Sequence, residues 1–317
     1  MRTKIQPLFK WTGSKQRMLD AYVPYFFPAT SPTRFVDLFA GALTITLWVH
    51  ETYPKCELII NDVNVELIDL YRILASDTEA VITEWRRHVT TWLSYTNKQT
   101  TSVLSGSKKL QMPVYVHERR LYYNTLLTSY AHEYATLNPI VRVAMLLFML
   151  QTNFNGMWKN YHKYHKHYST PPGSCHQSAV FFDEQNIRDV ATVLRRATIL
   201  SGPYANVPVQ SGDFIYADPP YRNSIVTYDV PFDDNAQIAL ARYLMAHDGP
   251  FAYSNKKISV TDTFYETHFP NVPCIEIDSI YKVSSTSQKL DVTEVLIIRD
   301  PDPHRVISQP IAETTLF

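Results

Sequence analysis

Cysteine is scarce: three in 317 residues. Cys56, Cys175 and Cys274 are odd in number and far apart, which argues against a disulfide framework or a cysteine zinc cluster and suggests a reducing compartment. Net charge is lacking too. Thirty lysines and arginines balance 30 aspartates and glutamates, so nothing global points to nucleic acid and local charge must carry that argument. No uninterrupted apolar run approaches the ~18 residues of a spanning helix, so no membrane span is expected. The first residues hold no signal-peptide hydrophobic region, and no internal repeat or low-complexity tract occurs. What is present is ordinary hydrophobic content, 45%, in a chain with room for one large α/β domain plus a smaller insertion.

The most informative stretch is Ser211-Gly212-Asp213-Phe214-Ile215-Tyr216-Ala217-Asp218-Pro219-Pro220-Tyr221. Residues 214–217 are a short apolar run closed by two prolines. They read as a buried strand, with Pro219 and Pro220 past its end because proline lacks the N–H a strand interior needs. In open α/β sheets, ligands sit at the carboxyl ends of strands. A carboxylate (Asp218), a carbonyl (Pro219, stiffened by the following ring) and an aromatic face (Tyr221) would be held together there. Two acceptors beside a flat ring suit a planar group bearing an amino group. An Asp-Pro turn after a core strand is the other reading of the same residues.

Two corners precede that stretch. Phe9-Lys10-Trp11-Thr12-Gly13-Ser14-Lys15 sets a glycine among small polar residues between two lysines, offering N–H groups and positive charge to an anion; a short helix is expected over 18–27. Arg34-Phe35-Val36-Asp37-Leu38-Phe39-Ala40-Gly41 reads as strand and glycine, followed by a helix over 42–50. That corner receives a nucleotide-like ligand at a helix N-terminus. About 20 residues on, a second strand ends in Asp62, an acid at a distance that suits a ribose diol. Strand, helix, strand and acid make half a Rossmann-like unit, and a helix is expected over 66–74.

Between 76 and 188 helical runs dominate, at 81–93, 116–130 and 139–152, and residues 102–109 read as a loop. The region reads as a mainly helical insertion. Its end, 152–173, interleaves lysines, histidines, asparagines and aromatics with next to no acid. That mix suits phosphate contacts plus stacking or wedging on bases. Over 76–188, 12 lysines and arginines face seven acids, a net of +5, so the rest of the chain nets −5 and positive charge concentrates on the insertion. His162, His165 and His167 form a possible metal tract, but the lysines among them and the lack of a nearby carboxylate argue against it, and no metal is expected. Downstream, helices are expected at 182–197 and 236–247, a strand edge at 199–204, a covering loop at 222–234, a strand at 251–255 and a final strand pair at 274–277 and 294–298.

Taken in order, Trp-x-Gly-x-Lys, Asp-x-Phe-x-Gly, Asn-Asp, helical insertion and Asp-Pro-Pro-Tyr resemble the Dam-type (D12 class, group alpha) adenine-N6 DNA methyltransferases. Similar pieces are Phe154-Asn155-Gly156, Tyr168 with Pro171-Pro172-Gly173, Phe232, Ser254-Asn255, and Glu294-Val295-Leu296-Ile297. The resemblance spans nearly the whole chain. It implies an α/β, Rossmann-like S-adenosylmethionine-dependent methyltransferase fold with a mainly helical inserted DNA-recognition domain. The catalytic domain would comprise 1–75 and 189–317, and the inserted domain 76–188.

By the same resemblance, Trp11, Gly13 and Lys15 would approach the cofactor's methionine end and the active site. Asp37, Phe39 and Gly41 would form the cofactor corner, and Asp62 would hold the ribose hydroxyls. Asp218, Pro219, Pro220 and Tyr221 would hold a flipped adenine, with Asp218 also bordering S-adenosylmethionine. Phe154, Asn155, Met157, Lys159, Lys163, Lys166 and Pro171 would meet double-stranded DNA. The implied target is GATC or a related short site, the implied setting the cytoplasm of a bacterium or phage-infected cell, and any restriction-enzyme partner a separate chain. An RNA adenine methyltransferase and a catalytically inactive DNA-binding protein on the same scaffold are the other readings. Asp218 favours a nucleobase over a protein amide or the N4 of cytosine, since those enzymes more often resemble this signature with Asn or Ser in the first position. Leu43 stands where the family often has a second glycine, Lys159 beside bulky Trp158 where an arginine is expected, and Tyr281 with Lys282 where arginine is usual.

Overall fold

The computed structural model describes residues 4–26, 31–105, 108–160, 167–223, 232–259, 261–282 and 289–299. The chain opens with a short helix α1 (Leu19–Tyr22), flanked by tighter helical turns where one longer helix was expected. Then come β1 (Arg34–Asp37), α2 (Thr44–Thr52), β2 (Glu57–Asp62) and α3 (Val65–Ser76). The side chain of Asn64 caps α3 by accepting from Leu67 N. Next are α4 (Thr78–Ser94), β3 (Thr100–Ser105), β4 (Lys108–Pro113), α5 (Val114–Glu133) and α6 (Pro139–Thr152). α6 begins with an asparagine cap and a proline in its first turn, where a missing N–H costs nothing. The remaining elements are α7 (Glu184–Arg196), β5 (Ala197–Ser201), β6 (Phe214–Ala217), α8 (Asp234–Ala246), β7 (Phe251–Lys256), α9 (Phe264–His268), β8 (Cys274–Lys282) and β9 (Lys289–Arg299).

One expectation is corrected. Residues 102–109 are not a loop: β3 and β4 pair antiparallel, with Val103 opposite Leu110 and Gln111 Nε2 donating to Ser102 Oγ at 2.7 Å. Threonine and valine at 100, 101 and 103 favour the strand, but polar residues around them hide the alternation.

Among the described residues, seven strands form one sheet in the order β5-β2-β1-β6-β7-β9-β8. The first five run parallel, and β9 enters antiparallel to β7 and pairs with β8. The chain builds outward from β1 through β2 to β5, then returns to add β6 on the other side of β1. Apolar strands with both faces covered are the normal state of a parallel sheet. Leu58, Ile60 and Phe214 face a core shared with α3, α4, α6 and α7, while Ile59, Ile215 and Ile297 face a second core under α8 and α9. No helix among the described residues is long and apolar enough to cross a membrane.

α6 is buried along most of its length, and Phe148 is its hub. That ring, fully buried, packs edge-on to Trp92 of α4 at 5.4 Å, stacks on Phe182 at 6.1 Å and lies 6.2 Å from Tyr122 of α5. Phe148→Ala should lower the free energy of unfolding by about 3–5 kcal/mol, because transfer and cavity terms add. Chemical denaturation measures it, and a loss below about 1 kcal/mol would mean the helices do not rely on this ring.

Candidate active site

Where the strand order reverses, at the carboxyl ends of β1 and β6, a cavity of about 880 Å³ opens. Trp11, Gly13, Lys15, Asp37, Phe39, Gly41, Asp62 and all four residues of 218–221 line it. Proximity in space therefore unites three motifs that are far apart in the chain.

The first corner follows β1. Leu43 N donates to Ala40 O at 2.8 Å, closing a turn in which Gly41 has φ 45° and Leu43 φ 65°. A Cβ on Gly41 would lie 3.0 Å from Trp11 Nε1, so the glycine lets the indole close over the turn. Leu43 keeps the left-handed backbone a glycine would take, at a cost of order 1–2 kcal/mol, and its buried side chain offsets that strain through packing. The Tyr71 hydroxyl donates to the Gly41 carbonyl.

Two acids face this corner. Asp62 accepts from Gly41 N at 3.0 Å and Asn64 N at 2.9 Å. Burial raises its carboxyl, against the pull of those N–H groups. Asp37 is pushed up to about 7 by burial, opposed by the Thr46 hydroxyl that donates to Oδ2 at 2.7 Å. Its Oδ1 is buried without a hydrogen-bond partner among the described residues. Buried Asn61 ties the strand ends together, donating from Nδ2 to Leu38 O at 3.1 Å and Gly202 O at 3.0 Å. Across the cavity, Phe39, Tyr204 and Phe232 form an aromatic wall with centroids 5.7 to 6.5 Å apart.

At the other end, Lys15 Nζ sits 2.7 and 2.6 Å from the two oxygens of Asp218 and 2.9 Å from Gly13 O. It also lies 4.8 Å from the centroid of the Tyr221 ring. Burial pushes the Asp218 carboxyl up to about 6, and the Lys15 ammonium is the main influence holding it down. The turn after β6 is fixed from beneath. Pro220 O accepts from Gln237 Nε2 at 2.7 Å, and Asn255 Oδ1 accepts from Arg222 N at 3.1 Å. Arg222 is buried and pairs with Asp234 at 2.9 Å and Asp262 at 2.8 Å.

Residues 152–160 and 167–173 pair through the bridges Asn153–Pro172 and Asn160–Tyr168. Asn153, missed from the sequence, organises the tip by donating to Met157 O at 3.0 Å and Tyr168 Oη at 2.9 Å and accepting from Gly156 N at 3.0 Å. The tip leans on the N-terminal segment: Thr12 N donates to Gly156 O at 3.0 Å. Phe154, Asn155 and Pro171 are exposed, and Met157 and Lys159 are half-buried. Lys163 and Lys166 lie outside the described residues. His167 stacks on Tyr134 with centroids 3.7 Å apart and sits 3.3 Å from Glu66.

A seven-stranded, largely parallel sheet with an antiparallel final pair and a cavity at the strand-order reversal is consistent with the fold of the S-adenosylmethionine-dependent methyltransferases. Residues 11–283 match the family of D12 class N6 adenine-specific DNA methyltransferases, and the chain belongs to that family. The type II methyltransferase M.MjaIII of Methanocaldococcus jannaschii is 24% identical over 253 residues, 76% of this chain and 79% of its own. The Retron Ec67 DNA adenine methylase of Escherichia coli is 25% identical over 266 residues, 81% of this chain and 80% of its own. A type II methyltransferase of Lactococcus lactis subsp. cremoris is 26% identical over 224 residues, 69% and 67% of the two chains.

Members of the family use S-adenosylmethionine, and the cavity fits it. The Gly41 turn leaves no room for a side chain beneath Trp11, and the Asp62 carboxylate is partly open to the cavity.

Asp37 yields a pH test. Between the ordinary carboxylate value of about 4 and about 7, the folded protein keeps a proton that the unfolded chain has lost. Stability from this group therefore declines as pH rises through that window, and the penalty is complete above it. Asp37→Asn keeps an oxygen for Thr46 and has no charge to bury. Its melting temperature, measured relative to the unsubstituted protein, should climb from about pH 4 to about pH 7; a difference independent of pH would contradict this.

Proposed function

We propose that the enzyme transfers a methyl group from S-adenosylmethionine to N6 of an adenine turned out of duplex DNA. One observation carries the reading: a carboxylate paired to a buried lysine stands at the end of β6, beside Tyr221, in the same cavity as the cofactor corner. Bound S-adenosylmethionine supplies an electrophilic methyl on a sulfonium.

The adenine N6 lone pair is spread into the ring, which makes the amine a poor nucleophile. Asp218 and the Pro219 carbonyl accept its two hydrogens and draw the nitrogen towards sp3 geometry, so that the lone pair meets the methyl in line. Lys15 favours the ionised, accepting form of Asp218. As the N6–methyl bond forms the sulfur–methyl bond would break, leaving its electron pair on sulfur as a neutral thioether, and N6 sheds one proton, which Asp218 takes. Tyr221 stacks on the base, and Trp11 and Phe39 offer aromatic faces to the sulfonium. Asp62 holds the ribose hydroxyls, and Gly13 lends its backbone to the methionine end.

Residues 76–188 form the inserted target-recognition region on this reading, with 1–75 and 189–317 as the catalytic domain. All seven sheet strands lie outside 76–188, which supports that division. Turning out a base costs a few kcal/mol of stacking and pairing. Phe154, 40% exposed, and Met157 are the wedges that offset part of it. Asn155, Lys159, Lys163, Lys166 and Pro171 would make the remaining DNA contacts. Two of the relatives are type II methyltransferases, which favours a separately encoded restriction enzyme as counterpart.

Labelled S-adenosylmethionine and DNA free of adenine methylation test the proposal, with sequencing to locate N6-methyladenine. Label should enter duplex DNA at one short motif. GATC would mean that Lys159 replaces the expected arginine; another motif would make 154–160 the place where specificity changed. Asp218→Ala should abolish turnover while cofactor binding persists, and undiminished methylation by that variant would sink the scheme. Because the carboxylate is the working form, kcat should fall as pH drops through about 6. Lys15→Met should move that limb to higher pH. An unmoved limb would mean that Lys15 does not govern Asp218.

A further inference from the structure

Glu294 opens the apolar run of β9 and is fully buried, yet the chemistry above makes no use of it. Its Oε2 accepts from Tyr22 Oη at 2.6 Å and from Tyr221 Oη at 3.0 Å. Ser254 Oγ lies 2.9 Å from Tyr22 Oη and 3.4 Å from Tyr221 Oη. Burial first, and the Glu294 charge second, hold the Tyr22 phenol well above its ordinary value, so it stays a donor. Each phenol has one proton, and both go to the same carboxylate oxygen. Three distant segments, α1, the turn after β6 and β9, therefore meet on one atom behind the site.

A buried carboxylate is seldom a net gain in stability over an apolar residue of similar size. Its placement here has a geometric effect instead. A tyrosine ring swings bodily about its first side-chain torsion, and anchoring the hydroxyl at its far end restrains that swing. We propose that Glu294 is a positioning residue for methylation: by holding the Tyr221 phenol it sets where the ring stands on which the target base rests beside Asp218. The proposal rests on the reading of Tyr221 as the base-stacking ring.

Four variants test it: Tyr221→Phe, Tyr221→Ala, Glu294→Gln and Glu294→Leu. Each is assayed for kcat, for KM of S-adenosylmethionine, and for the fluorescence of an aminopurine placed at the target adenine. Tyr221→Phe keeps the ring and frees it, so kcat should fall about 10- to 100-fold, the scale of a small misplacement of reacting groups. KM for the cofactor should stay within about twofold, since the lost interaction is one of orientation. Glu294→Gln retains an oxygen that accepts both phenols and should keep kcat within about threefold of the parent. Glu294→Leu should match Tyr221→Phe, and combining the two should add little, because they remove one interaction. The aminopurine, quenched on the fixed ring, should brighten in both. If Glu294→Leu fails to fold, Tyr221→Phe paired with Glu294→Gln still decides the matter. Full activity in Tyr221→Phe, or losses that multiply in the double variant, would overturn the role of Glu294. Full activity in Tyr221→Ala would instead overturn the stacking reading itself.

Discussion

A carboxylate that is both buried and ionised is the constraint on which this site turns. Burial alone drives Asp218 towards its neutral form. The Lys15 ammonium at 2.6 Å opposes that, and it can do so only because the 12–15 segment is carried from the far end of the chain to the mouth of β6. Lys15 is itself 2% exposed and has no water as an alternative partner, while Asp218, 18% exposed, faces the cavity. Removing one member of such a pair strands the other, so each motif holds the charge of the other in place. The remaining geometry follows from that requirement. Gly13 lends a carbonyl to Lys15, Gln237 and Asn255 hold the turn that follows Asp218, and Arg222 pins the chain leaving it.

The N-terminal segment that supplies Lys15 also supplies Trp11, and Trp11 lies between two parts of the molecule. On one side its indole covers the Gly41 turn; on the other it meets Trp158, 5.9 Å away, which in turn packs on Tyr168 at 5.0 Å. Thr12 bonds Gly156 at the tip of the same 152–173 segment. A Cβ on Gly156 would come within 2.6 Å of the Lys10 backbone, so the approach is as close as the chain allows. One short stretch thus touches the Gly41 turn, Asp218 and the exposed residues that include Phe154. Because packed interiors yield little, displacing any of the three would be felt by the others.

Much of this was legible in the sequence for a simple reason. Strand ends at apolar-to-polar boundaries, glycine corners and prolines past a strand are local signals, and the sheet brings those ends to one edge. The seven cofactor-side positions and the four of 218–221 therefore converge on one cavity. What was not legible depends on partners far away in the chain. Glu294 looked like the polar start of an apolar strand, and only the fold sets Tyr22 and Tyr221 against it. Leu43 looked like an altered corner, yet the backbone there is the left-handed turn a glycine would make. The net positive charge of 76–188 overstated what is open to a phosphate. Arg86, Arg87 and Arg188 pair with acids of the same region, and Arg119 is buried against the carbonyls of Trp92, Cys175 and Gln177.

Trp158 and Lys159 show how a departure from the family pattern can be confined. In an extended segment, neighbours point to opposite sides. Trp158 turns inward, 5% exposed between Trp11 and Tyr168 at the border of the cavity, so its bulk is taken up by the core and the cavity wall. Lys159 takes the other side, and its backbone is fixed at both ends: its N–H donates to Thr170 Oγ1 at 3.0 Å and its carbonyl accepts from Ser169 N at 2.8 Å. The frame is therefore as rigid for a lysine as it would be for an arginine. What differs is the head group, a compact charge on a flexible stem in place of a planar two-pronged donor. On the proposed reading, a guanine contact at this position loses its bidentate fit while the approach of the segment to DNA stays the same, so altered specificity would arise at one contact and not from a rebuilt interface.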